Sequence, residues 1–146
     1  MNKATILAAA TALLAACSSL VPLSQVDAAE ARWKAQGISN YAFIVRVEAM
    51  MPFTECSAGR RVDVEVRNGK TVKFGTCAVD SEPARDLGSV PQIFVTIRAN
   101  RLQRPPRYLV QFNPSLGYPE HIDVNLSRTR TDHGFAYYIE GFREIE

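Results

Sequence analysis

The chain has 146 residues, a formal net charge of +2 and 47% hydrophobic residues. That length carries one domain with a real core and not two, and the near-neutral charge argues against a general nucleic-acid binder. The apolar share excludes a disordered chain, and no low-complexity tract interrupts it.

Asn2-Lys3 gives a basic start, and Ala4 to Leu14 is an apolar run too short to cross a bilayer core of about 30 Å as a helix. It reads as a targeting segment. Leu14-Ala15-Ala16-Cys17 closes that segment with small residues and a thiol. This resembles the lipobox of bacterial lipoproteins, in which a diacylglyceryl group joins the cysteine and the peptide before it is removed. Residues 1–16 are then the lipoprotein signal peptide, and Cys17 is the lipidated first residue of the mature chain. The alternative is an ordinary secretory signal cleaved after Ala16 or later, with Cys17 left as a thiol. Both readings export the protein.

Ser18 stands where an aspartate typically holds lipoproteins at an inner membrane. In a host with two membranes the expected place is therefore the periplasmic face of the outer membrane. The remaining 130 residues carry a formal charge of +1. Residues 17–26, with Pro22 and no helical period, read as lipidated N-terminus and tether, and residues 27–146 as one domain. About nine tether residues reach roughly 30 Å when extended.

Asp27-Ala28-Ala29-Glu30 has capping-box spacing, and the Ala-rich run to Gln36 favours helix. Gly37 is a left-handed stop, with Ile38 folding back on Trp33. Trp33 is most simply a core anchor between helix and sheet; the other reading is an aromatic binding surface. From Tyr41 the period becomes two, with Tyr41, Phe43, Val45 and Val47 on one face and Ala42, Ile44, Arg46 and Glu48 on the other.

Val62, Val64 and Val66 alternate in the next strand, and Asn68-Gly69 is the preferred pair for a type I′ hairpin turn. The returning strand, Lys70 to Cys77, is expected to face Val72 and Phe74 inward. Such a hairpin sets Cys77 opposite Arg60, close to Cys56, so a Cys56–Cys77 disulfide is geometrically reasonable. With Cys17 lipidated, these two form an even set. The alternative is a metal or redox site, although neither C-x-x-C spacing nor a neighbouring histidine accompanies them.

Asp80 to Gly88 reads as a polar connection. Ser89-x-x-Gln92 is a second capping box, and Val90, Ile93, Phe94 and Ile97 share one helical face. Helix is favoured over 89–103, although Ile93, Val95 and Ile97 also suit a strand. Pro105-Pro106 ends it. Three strands follow: Arg107 to Asn113, Pro119 to Ser127 and Gly134 to Arg143, with Ile122, Val124 and Leu126 alternating in the second. The order α-βββ-α-βββ predicts an α+β fold, an antiparallel sheet of about six strands with two helices on one face. Val62-Asp63-Val64-Glu65-Val66 and Ile122-Asp123-Val124-Asn125-Leu126 read alike, as in a structural duplication.

Four features together resemble an uncharacterised family of bacterial secreted and lipid-anchored proteins, the domain of unknown function DUF6174. They are the tryptophan helix leading into Gly37-Ile38-Ser39-Asn40-Tyr41-Ala42-Phe43, the Val66 to Val72 hairpin, Phe112-Asn113-Pro114, and Gly117-Tyr118-Pro119-Glu120-His121-Ile122-Asp123. The resemblance implies an α+β fold and export, and brings no established activity or catalytic residues.

The residues themselves offer no catalytic constellation. His121, near Asp123, and His133, beside Asp132, lie some seven strand residues apart in the expected last hairpin, which sets His121 opposite about Glu140. That is about 24 Å, too far to share one ion. No metal and no cofactor is expected. Arg98, Arg101, Arg104 and Arg107 form the clearest charge cluster. They suit an anionic partner, whether lipid headgroups, an envelope polymer or an acidic protein face, or else a solvated helix face paired with Asp86 or Glu82.

The solvated sheet face, with Ile44, Arg46, Leu109, Gln111, Asp123, Asn125 and Tyr138, is the other candidate surface. The expected function is a lipid-anchored, non-enzymatic binding domain of the cell envelope. The alternative is a small envelope enzyme with a site of scattered polar residues.

Overall fold

The computed structural model describes residues 20–49, 56, 60–127, 129 and 134–146. The element order is α1 (Leu23–Gln36), β1 (Tyr41–Ala49), β2 (Arg61–Arg67), β3 (Lys70–Phe74), α2 (Glu82–Leu87), α3 (Val90–Leu102), β4 (Arg107–Phe112), β5 (Pro119–Asn125) and β6 (Gly134–Glu144). The strands form one antiparallel sheet in the order β3-β2-β1-β6-β5-β4. The fold is α+β, with the helices covering one sheet face. Each half is a three-strand meander, and both meanders step across the sheet in the same sense. The two look-alike segments are the middle strands of their halves, β2 and β5.

Alternation places Tyr41, Phe43, Val45, Val62, Val64, Val66, Tyr108, Ile122 and Val124 under the helices, all buried. From α3, Val90, Ile93, Phe94 and Ile97 are fully buried against them, each contributing about 1.5–3 kcal/mol by leaving water. This burial decides for helix over strand, and Ser89 caps it as its spacing predicts, accepting from the Gln92 amide at 3.4 Å. Trp33 is a core anchor, 5% exposed and edge-on to both Tyr41 and Phe142.

The first helix starts ahead of Asp27. Pro22 stands at its N-cap, and Val21 and Val26 are buried. Asp27 therefore lies inside α1 and pairs with Arg98. Burying the two valines outweighs the local capping preference, so the packed domain reaches back into the expected tether. Asp80 to Gly88 likewise holds the short helix α2, which buries Ala84 and Leu87.

Of three register shifts among the described residues of the sheet, two change which of the expected side chains face the core. Asn68 and Gly69 have φ 49° and 73°, as the turn requires, which sets Val66 opposite Thr71. An irregularity then follows and Glu65 faces Lys73, so Phe74 points inward while Val72, expected inward, is 49% exposed. On β6 a second shift lies between the Ile44–Glu140 and Ala42–Arg143 pairs. Gly141, at φ 59°, takes the left-handed backbone of that bulge and returns Phe142 to the core, stacked on Tyr118 at 4.6 Å. Strand β5 ends at Asn125, and Leu126, expected to alternate inward, is 57% exposed.

Candidate functional site

Among the described residues, nothing covers the face of the sheet away from the helices. Register brings one residue from each of five strands into a lateral row across it: Gln111, His121, Tyr138, Arg46 and Arg61. The His121 ring stacks on Tyr138 with centroids 4.3 Å apart and planes 10° from parallel. On its other side the Arg46 guanidinium carbon stands 3.9 Å from the centre of the Tyr138 ring, a cation–π contact. Arg46 Nε donates to Glu140 Oε1 at 2.7 Å, and the second Glu140 oxygen pairs with Arg61 at 3.2 Å. Glu48 pairs with Arg46 from along the same strand.

The hydrogen bond from Arg46 to Glu140 is the main reason its pKa lies above the ordinary arginine value; desolvation opposes this, and the Glu48 carboxylate supports it. The stack thus holds a long cationic side chain over an aromatic ring, which lowers the ordering cost of any contact made there. Beside the row, Ile44, Asp63, Glu65, Lys73 and Arg143 line a shallow depression of about 170 Å³. Arg107 pairs with Asp123 at 2.5 Å on the same face, and Leu109 is 40% exposed there.

This surface offers planar stacking, charge of both signs and a few apolar atoms. His121 Nε2 is shielded from solvent without a hydrogen-bond partner among the described residues. Among the described residues no group of three or more His, Cys, Asp and Glu side chains is placed to hold a metal ion.

Cys56 and Cys77 are joined in a disulfide with Cα atoms 4.8 Å apart. The four arginines have different surroundings. Arg98 bridges Asp27 and Glu30 of α1, and Arg101 donates to the Val21 carbonyl at 2.6 Å. Arg104 is exposed, and Arg107 belongs to the open sheet face. The expected Asp86 and Glu82 partners lie instead on α2. His121 faces Tyr138 rather than Glu140. Cys17 and His133 lie outside the described residues. Arg61 and Glu140 are the members that sequence reasoning missed; the alternation of β2 and β6 carries their face, but only the register shows that they meet Arg46.

The Gly117-Tyr118-Pro119 segment has a structural role. Asn113 Oδ1 accepts from the Ser115 and Leu116 amides at 3.0 and 2.8 Å, while its Nδ2 donates to Glu120 at 2.7 Å. Gly117, at φ 88°, lies so close to α1 that a Cβ there would meet the Ala29 carbonyl at 2.3 Å. The turn thus docks tightly on the tryptophan helix.

The model for a family of unknown function, DUF6174, matches residues 25–144. The chain belongs to the DUF6174 family. The match runs from α1 to the end of β6, so the DUF6174 domain includes both meanders and the whole open face. No curated protein and no solved structure matches the chain. No helix among the described residues is long and apolar enough to cross a membrane.

Proposed function

We propose that this DUF6174 protein is a lipid-anchored component of a bacterial cell envelope that binds another envelope component without catalysis. Export by residues 1–16 and lipidation at Cys17 are supported by the apolar run ending in Ala15-Ala16-Cys17 and by the Cys56–Cys77 disulfide, which suits an oxidising compartment. In a host with two membranes the location is the periplasmic face of the outer membrane.

The observation that carries the binding role is the ordered row of His121, Tyr138 and Arg46 on a sheet face that none of the described helices covers. Its mixture of aromatic plane and paired charge suits a protein surface more than a uniformly charged polymer, because Glu48, Glu140 and Asp123 would repel a polyanion.

Metabolic acyl labelling tests the anchor: label is expected on the native protein and lost in Cys17→Ser. Cross-linked capture from intact cells tests the surface, with the Arg46→Ala/Tyr138→Ala variant expected to lose a partner that the native protein holds. Turnover of cell-wall or lipid substrates that vanished in His121→Ala would overturn the non-enzymatic reading.

A further inference from the structure

The start of the described chain is fastened to the domain. Leu20 makes a parallel bridge with Tyr108, the Val21 amide donates to the Tyr108 carbonyl at 2.7 Å, and the Val21 carbonyl accepts from Arg101. Three residue steps separate Leu20 from Cys17, a contour of about 10 Å at most. A lipid on Cys17 therefore holds this end of the sheet near the bilayer surface, within about one Debye length at physiological salt, rather than at the roughly 30 Å of a free nine-residue tether.

The same end is dressed for such a surface. It gathers the last turn of α3, the start of β4 and the end of β5, since Arg107 pairs with Asn125 in register. Leu102 is 79% exposed and Leu126 57%. Arg101 and Arg104 flank Leu102, and among the described residues neither has a carboxylate partner, whereas Arg98 and Arg107 are paired. Exposed leucines between unneutralised arginines match the layered chemistry of a lipid interface, acyl boundary beneath anionic headgroup.

We propose that, on the reading that Cys17 is lipidated, this end of the domain docks on its own membrane. Arg101 and Arg104 meet anionic headgroups, and Leu102 and Leu126 enter the interface. The open sheet face then stands roughly upright from the bilayer, with its row still accessible.

The test uses the acylated mature protein reconstituted into vesicles of phosphatidylglycerol and phosphatidylethanolamine, or of phosphatidylcholine alone. Leu102→Cys supplies a thiol for an environment-sensitive fluorophore, because Cys17 is acylated and Cys56–Cys77 is closed; Val95→Cys, 68% exposed higher on α3, is the control. A lipid-borne quencher is expected to reach the Leu102 probe and not the Val95 probe. The quenched fraction is expected to fall about fivefold in Arg104→Glu and on the neutral vesicles. Equal exposure of both probes on acylated protein overturns the docking and leaves the anchor standing. Equal quenching on both vesicle types, unaffected by Arg104→Glu, overturns the headgroup contact. Mature protein with no acyl mass on Cys17 overturns the anchor, and the docking with it.

Discussion

The Tyr41 hydroxyl, on the first strand, accepts the Val90 amide at the start of α3 at 3.0 Å. The side chain is 1% exposed and the amide belongs to a helix start, where donors lack partners within the helix. One phenol thus ties the central strand to the helix layer. Tyr41→Phe leaves that amide buried and unsatisfied, and a loss of about 1–2 kcal/mol is expected. Urea unfolding followed by near-ultraviolet circular dichroism measures it; an unchanged midpoint would show that the bond contributes nothing.

The disulfide joins residues 21 apart in sequence. In the chain-entropy account, closing such a loop stabilises the fold by about 3 kcal/mol. Replacing both cysteines by alanine is expected to lower the unfolding free energy by that order without changing the sheet. A double variant as stable as the native protein would mean that strand pairing alone fixes this corner.

Gly117→Ala is expected to cost at least about 2 kcal/mol, from left-handed backbone and from a Cβ driven into the Ala29 carbonyl. Trp33 reports the damage directly, because the same Cβ would meet its backbone nitrogen at 2.9 Å. The expected result is a lower urea midpoint together with red-shifted tryptophan emission, and native emission would contradict the docking role.

Alkali should unfold the protein in a defined window. Burial, with help from the Asp86 charge, pushes Tyr137 up to about 12, and burial also raises Tyr41, Tyr108 and Tyr118. A phenol whose folded pKa is raised contributes stability that is complete below its unfolded value of about 10 and is lost as pH climbs toward the folded value. Urea midpoints are expected to fall between about pH 10 and 12, less steeply in Tyr137→Phe. Tyrosinate absorbance from these phenols should rise with unfolding; a full rise while the fold persists would contradict their burial.

The sequence carries the alternating faces, the Asn68-Gly69 turn, the Ser89 cap and the closeness of Cys56 to Cys77, because each is local or follows from one hairpin's register. What it conceals are the places where one extra residue resets parity. Val72 and Phe74 would share one face in a regular strand and are parted only by the irregularity between β2 and β3, and Phe142 reaches the core only through the Gly141 bulge. The start of α1 was hidden for another reason, since a local capping pattern at Asp27 lost to the distant burial of Val21 and Val26. The partners of the arginine row were hidden similarly: regular spacing along the chain says nothing of Asp27, Glu30 and Val21, which engage two of its members. The candidate site was legible as a face, through Arg46 and Tyr138, but not as a stack.

The claim that the open sheet face is the contact surface is tested most directly by photo-crosslinking in living cells. A photoreactive residue at Gln111 on that face is compared with one at Val95 on α3. The account predicts a discrete adduct from Gln111 that disappears when Arg46 and Tyr138 are changed to alanine, and no adduct from Val95. An adduct from Val95 alone, or a Gln111 adduct indifferent to those changes, would contradict it.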